Sequence, residues 1–212
     1  MRAILPVLVG VFCLAVGCVV TGCGSAAGEG PGRAAVMFDD NCGTCHGADG
    51  HGNMEIGAPG IAGLPDWYVA RQLHKFRDGI RGAHGDDLEG LRMRPMSRTI
   101  RDTDIDPIAA YVSGLAPAPN EASVAGDPEA GKALYAACGA CHGADGKGNQ
   151  AQNAPPIGLL QSWYIERQLH KFRNGIRGAH PDDTTGQQMA PMAKTIPNDE
   201  AVTNLSAFVS TL

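Results

Sequence analysis

Apolar residues recur along this chain at three- and four-residue intervals, and no stretch alternates them convincingly with polar ones. In the second half Asp127 and Pro128 open such a run, followed by Ala130, Leu134 and Ala137. An aspartate cap with proline at the first helical position marks a helix start. In the first half Ala35, Met37 and Phe38 do the same job with weaker start signals. A middle helix is predicted after Asp66, and after Ser162 in the second half, both residue types that cap helix N-termini. Val69, Leu73 and Phe76 share its apolar face, and Gly79 or Gly175 ends it. A last helix carries Ile105, Ile108, Ala109 and Val112, or Val202, Leu205, Phe208 and Val209. Pro107 belongs in a first turn, which puts the start of that helix late. The predicted class is all-α.

The two halves are one unit repeated at a constant offset of 96 residues: Trp67 maps to Trp163, His74 to His170 and Met93 to Met189. Between Cys42 and Ile100 about 37 of 59 positions are identical without a gap. One extra residue enters after Ile196, so Tyr111 aligns with Phe208. Ala116-Pro117-Ala118-Pro119-Asn120 reads as a stiffened linker. The predicted domains are 31–115 and 126–212, joined by residues 116–125.

The chain opens differently. Met1-Arg2 is a short basic segment, followed by an apolar run from Ala3 to Val20 and then Thr21-Gly22-Cys23. This layout predicts an export signal over residues 1–23. Small residues before a cysteine resemble a bacterial lipobox, which makes Cys23 the expected lipidation site and membrane anchor. Ala15-Val16-Gly17-Cys18 is a poorer match. A soluble form cut nearby and an uncleaved helical anchor are the alternatives, since the run is near the ~20 residues needed to span a bilayer. Residues 24–30 are small and Gly-rich and read as a tether.

Composition sharpens the picture at one point. Aromatic residues are only 5% of the 212, so each short domain has little bulk with which to fill a core of its own. The four cysteines beyond the leader supply an answer: they form Cys42-Gly43-Thr44-Cys45-His46 and Cys138-Gly139-Ala140-Cys141-His142. C-x-x-C-H is the attachment signature of c-type haem. Two thiols one helical turn apart reach the two vinyl groups, and His46 or His142 takes the proximal position on iron. Two covalent haems are therefore expected, each an apolar centre for its domain. Zinc also uses C-x-x-C pairs, but the adjacent histidines and the export leader favour haem. A net charge of −5 gives no electrostatic case for nucleic acid.

The sixth position on iron separates a carrier from a catalyst. Met93-Arg94-Pro95-Met96 and Met189-Ala190-Pro191-Met192 stand between the middle and last helices, where a loop should close a haem crevice. A thioether ligand raises haem potential, and the repeat does not say which methionine of each pair supplies it. His74, His170, His84 and His180 also recur, with surface positions the ordinary reading. The repeated Arg71, Arg77 and Arg81, with Arg167, Arg173 and Arg177, suit haem propionates, which prefer arginine. Trp67, Tyr68, Trp163 and Tyr164 could donate to the same groups.

With these motifs in hand, the chain resembles a dihaem class I cytochrome c of the cytochrome c4 type. The resemblance rests on tandem C-x-x-C-H-G-x-x-G, from Cys42 to Gly50 and Cys138 to Gly146, and on Q-L-x-x-F-R-x-G, from Gln72 to Gly79 and Gln168 to Gly175. The M-x-x-M segments and the Ala-Ala-Tyr-Val and Ser-Ala-Phe-Val endings add to it. It implies Met93 and Met189 as axial ligands, each seven residues before an aliphatic, Ile100 or Ile196, with Met96 and Met192 as the fallback. It also implies a non-enzymatic, periplasmic one-electron carrier. Its expected donor is a quinol-oxidising complex and its acceptor a terminal oxidase or reductase. The alternatives are a haem subunit of a dehydrogenase complex, or a peroxidase with one open iron. Both halves keep both methionines, against the peroxidase.

Overall fold

The computed structural model describes residues 31–119 and 122–212. The leader, the tether and Cys23 lie outside the described residues, as do Asn120 and Glu121 of the linker. Among the described residues the structure is helical with two isolated bridges and no sheet.

In the first domain α1 (Pro31–Phe38) passes through a π-helical turn (Asp39–Gly43) into a final turn, Thr44–His46. It is followed by α2 (Asp66–Arg77), α3 (Leu88–Thr99) and α4 (Asp102–Ser113). The second domain repeats the order with α5 (Pro128–His142), α6 (Ser162–Arg173), α7 (Thr184–Lys194) and α8 (Asp199–Val209). As expected, Asp127 caps α5, its carboxylate accepting from the Glu129 N–H at 2.9 Å.

Each domain is closed by its first and last helices. Phe38 meets Tyr111 with ring centroids 5.4 Å apart, and Tyr135 meets Phe208 at 5.2 Å. Ile105, Ile108 and Val112, with Leu205, Val202 and Val209 in the second domain, are buried beneath these contacts. The crossing of α5 and α8 depends on Gly131, where a Cβ would stand 2.0 Å from the Asn204 carbonyl oxygen. Gly131→Ala is expected to destabilise the second domain by about 3 kcal/mol, the upper range of overpacking. Thermal unfolding of the holoprotein should show that domain losing cooperativity first, and an unchanged transition would count against so tight a crossing.

Three expectations give way. The methionine segments are helices, not loops: Asp87 and Asp183 cap them, accepting from the N–H groups of Gly90 at 3.1 Å and Gly186 at 3.0 Å. Pro95 and Pro191 sit inside, where each forgoes one backbone donor. Asp66 and Ser162 are the first residues of their helices rather than caps. Ser162 is fully buried and bonds instead to Ser123, whose N–H reaches its Oγ at 2.8 Å. Pro107 lies in the second turn of α4, which starts at Asp102, earlier than the proline suggested.

The domains meet through α2 and α6 and the loops that follow them. Arg81 is buried and donates to Gln72 at 2.7 Å, the Tyr164 hydroxyl at 2.8 Å and Gln168 at 3.2 Å. Arg177 answers with Gln168 at 2.8 Å and Gln72 at 3.4 Å. Gln161 Nε2 donates to the His51 carbonyl at 2.8 Å, while its oxygen accepts from the Gly60 N–H at 2.9 Å.

Candidate haem sites

Both C-x-x-C-H motifs end a helix, so each histidine is carried on a rigid element. The following glycine, Gly47 or Gly143, adopts φ +82° and turns the chain back sharply, a conformation that favours glycine. That reversal brings a proline carbonyl to each imidazole. Pro59 O lies 2.7 Å from His46 Nδ1, and Pro155 O lies 2.8 Å from His142 Nδ1. A carbonyl only accepts, so Nδ1 carries the proton and Nε2 keeps its lone pair. Burial lowers the pKa of both imidazoles, with the carbonyl contact partly opposing it. Two neutral imidazoles with a fixed tautomer result, the form that binds a metal.

Each histidine lines a cavity. The first encloses about 1140 Å³ including its open mouth, and the second about 1220 Å³. Leu64, Val69, Leu73 and Phe76 wall the first; Leu160, Ile165, Leu169 and Phe172 wall the second. Cys45 and Cys141 stand exposed at the mouths, while Cys42 and Cys138 are half-buried. Burial, helped by neighbouring Cys45, pushes the Cys42 thiol up to about 11, and the same causes raise Cys138. These are not activated thiolates of a catalytic cysteine. Among the described residues no group of three or more His, Cys, Asp or Glu side chains is arranged to hold a metal ion.

Both methionines of each pair line the cavities, Met93 and Met96 from α3, Met189 and Met192 from α7. Met93 and Met189 are half-buried against the core, whereas Met96 and Met192 are 39% and 42% exposed. The recurring histidines lie elsewhere: His74 and His84 are exposed, and His170 and His180 line neither cavity.

The arginines divide in an unanticipated way. Arg77 and Arg173 turn outward to Asp102 and Asp199. The first cavity is lined by its own Arg81 and by Arg167 from the other domain; the second by its own Arg177 and by Arg71 from the other. Arg71 and Arg167 also stack on Trp67 and Trp163, at 4.8 and 4.9 Å. The Nε atoms of Arg71 and Arg81 are buried without a hydrogen-bond partner among the described residues. Buried donors normally find an acceptor, and a porphyrin carboxylate beside them is one. Cys138 and Cys141 both line the second cavity, whereas only Cys45 lines the first and Cys42 packs against the core. An apolar slot, cysteine thiols beside it, a neutral imidazole and unpaired arginine donors all fit haem.

Sequence reasoning passed over Lys75, Lys171, Asp87 and Asp183, which join the domains. Lys171 pairs with Asp87 and with Glu89 at 2.5 Å, and Lys75 with Asp183 and with Thr185 at 2.6 Å. Burial works to raise the Glu89 and Asp183 carboxyls, but their lysine partners outweigh it and hold both below the usual range. A signal existed: Gln72, Lys75 and their repeats are polar positions kept identical on a helix whose apolar face is already accounted for.

Fold and sites together define a protein with two covalent c-type haems that passes electrons to and from other redox proteins. The cytochrome c family model matches twice, over residues 32–116 and 128–212. The chain belongs to the cytochrome c family and is cytochrome c4-like, with two covalently bound haem c groups. It is 30% identical over 210 residues to cytochrome c4 of Azotobacter vinelandii, covering 91% of this chain and 93% of that one. It is 32% identical over 172 residues to the thiosulfate dehydrogenase electron acceptor of Stutzerimonas stutzeri strain A1501, covering 75% of this chain and 73% of that one. Its fold superposes on the crystal structure of reduced recombinant cytochrome c4 from Pseudomonas stutzeri with TM-score 0.68 and 25% identity, over 87% of this chain and 100% of the other.

Proposed function

We propose that this chain is a non-enzymatic electron shuttle of the periplasm, tethered to the membrane through Cys23, with both irons ligated by histidine and methionine. Cys42 and Cys45 hold one haem, and Cys138 and Cys141 the other. His46 and Met93 are the axial pair of the first domain, His142 and Met189 of the second. The observation that carries this reading is the pairing, in each cavity, of a neutral buried imidazole with a half-buried thioether. When bound, the haem supplies a one-electron couple. The protein's own part is to fix the imidazole tautomer through Pro59 and Pro155, exclude water with the apolar walls, and offer arginines to the propionates. A thioether in the sixth position leaves no coordination site for substrate, which favours a carrier over a peroxidase.

The donor is read as a quinol-oxidising complex and the acceptor as a terminal oxidase or reductase. Similarity to a thiosulfate dehydrogenase electron acceptor favours a second reading, in which a dehydrogenase supplies the electrons. Size-exclusion of the detergent-extracted native protein separates them, because a stable complex with a dehydrogenase subunit would displace the free shuttle. Optical redox titration tests the core reading. It should count two haems with the spectra of His/Met ligation, and peroxide turnover by a five-coordinate haem would overturn it. The anchor rests on Val20-Thr21-Gly22-Cys23. Cys23→Ser should move the haem protein from the membrane fraction to the soluble one, and unchanged membrane attachment would remove Cys23 as the anchor.

A further inference from the structure

We propose that Lys171 and Lys75 are positioning residues, each holding the methionine-bearing helix of the opposite domain against its haem cavity. The inference rests on the reading that Met93 and Met189 are axial ligands. Lys171, on α6, reaches across the interface to Asp87 and, at 2.5 Å, to Glu89. Asp87 is the residue that opens α3, its Oδ1 also accepting from the Gly90 N–H at 3.1 Å. Lys75, on α2, reaches Asp183 and, at 2.6 Å, the Thr185 hydroxyl. Asp183 opens α7 through the Gly186 N–H at 3.0 Å. One carboxylate in each domain therefore serves two partners, the helix of its own domain and the lysine of the other.

These contacts are withdrawn from water. The side chains of Lys171 and Asp87 are 10% and 4% exposed, and those of Lys75 and Asp183 are 12% and 3% exposed. Removing one partner of so buried a pair strands a charge, a far larger perturbation than losing a surface pair. The stranded charge sits at the first turn of the helix that carries Met93 or Met189 within its next two turns. Arg167 also contacts Glu89, at 2.8 Å, but its guanidinium is more exposed and does not touch the capping carboxylate. The opposite domain thus sets the seat of each thioether.

Lysine-to-methionine variants keep the apolar stem and delete the charge. In the ferric holoprotein, Lys171→Met is expected to weaken the long-wavelength thioether-to-iron band of the first haem and lower that haem's potential. Added imidazole should displace its thioether about ten-fold more readily, in the range of inter-site couplings, with the second haem unchanged. Lys75→Met should produce the reverse pattern, and Lys171→Arg should restore native behaviour. Asp87→Asn, which keeps a capping oxygen while deleting the charge, should reproduce Lys171→Met and serves if that variant does not fold. Met93→Ala and Met189→Ala assign each band to its haem. If those two leave the bands intact, the axial reading itself fails. If they abolish them, yet Lys171→Met and Asp87→Asn alter neither haem, both alike, or only the second, the cross-domain role is overturned.

Discussion

Alanine in place of Met93 is expected to lower the midpoint potential of one haem by on the order of 0.1 V or more, a part of the ~0.8 V span that axial ligation commands. The second haem should keep its native value, and Met189→Ala should reverse the pattern. The direction follows from ligand chemistry, since His/Met ligation raises haem potential and removing the thioether takes that contribution away. The same substitution opens a coordination site, so cyanide or carbon monoxide should bind one haem of the variant and neither of the native protein. Met96→Ala is the control. Its side chain is 39% exposed at the cavity mouth, whereas Met93 packs against the core, so Met96→Ala should leave both potentials near native. A large fall in Met96→Ala with a native Met93→Ala would exchange their roles.

The second large effect concerns the chain without its haems. Changing Cys42, Cys45, Cys138 and Cys141 together to serine is expected to give a protein with no cooperative thermal transition and much reduced helical circular dichroism. The domains fold around open clefts of about 1140 and 1220 Å³, mouths included, whose deep walls carry leucine, valine, isoleucine and phenylalanine. Left empty, such walls lose the dispersion contacts and apolar burial that hold them in place. A whole domain holds only about 5–15 kcal/mol of net stability, so losing the contacts along an entire apolar cleft removes a large part of it. A cooperative melt of the serine variant near the holoprotein's would show that α1–α4 and α5–α8 suffice by themselves.

What could be read in advance depended on how local the governing physics is. Haem attachment needs two thiols and an imidazole at fixed spacing, so His46 and His142 could be placed on cavities before any fold was known. The faces of α2 and α4 were equally legible, because burial imposes its period on the residues themselves. The methionine helices were not. Pro95 and Pro191 suggested a loop, and only Asp87 and Asp183, which cap the helices about two turns earlier, tip the balance. Ser162 looked like a cap and serves as a buried anchor for Ser123, a choice made by packing. Least legible was the exchange of arginines and lysines between domains. Lys171 and Asp87 are 84 residues apart in the chain, and no periodicity reports a contact at that range.

That exchange carries a consequence for how the molecule came to have two halves. Arg81 meets Gln168 while Arg177 meets Gln72, and Lys75 meets Asp183 while Lys171 meets Asp87. Allowing for the offset of 96, each pair is the same contact made in both directions. This is the isologous geometry of a two-fold homodimer, in which one surface patch complements itself. A single ancestral domain bearing the α2 face and the capped methionine helix would already hold both sides of the junction and pair with its own copy. Duplication and a short proline linker then turn a concentration-dependent association into a permanent one. The two halves are thereby freed to diverge, as Glu89 and Thr185, successors of one position, already have.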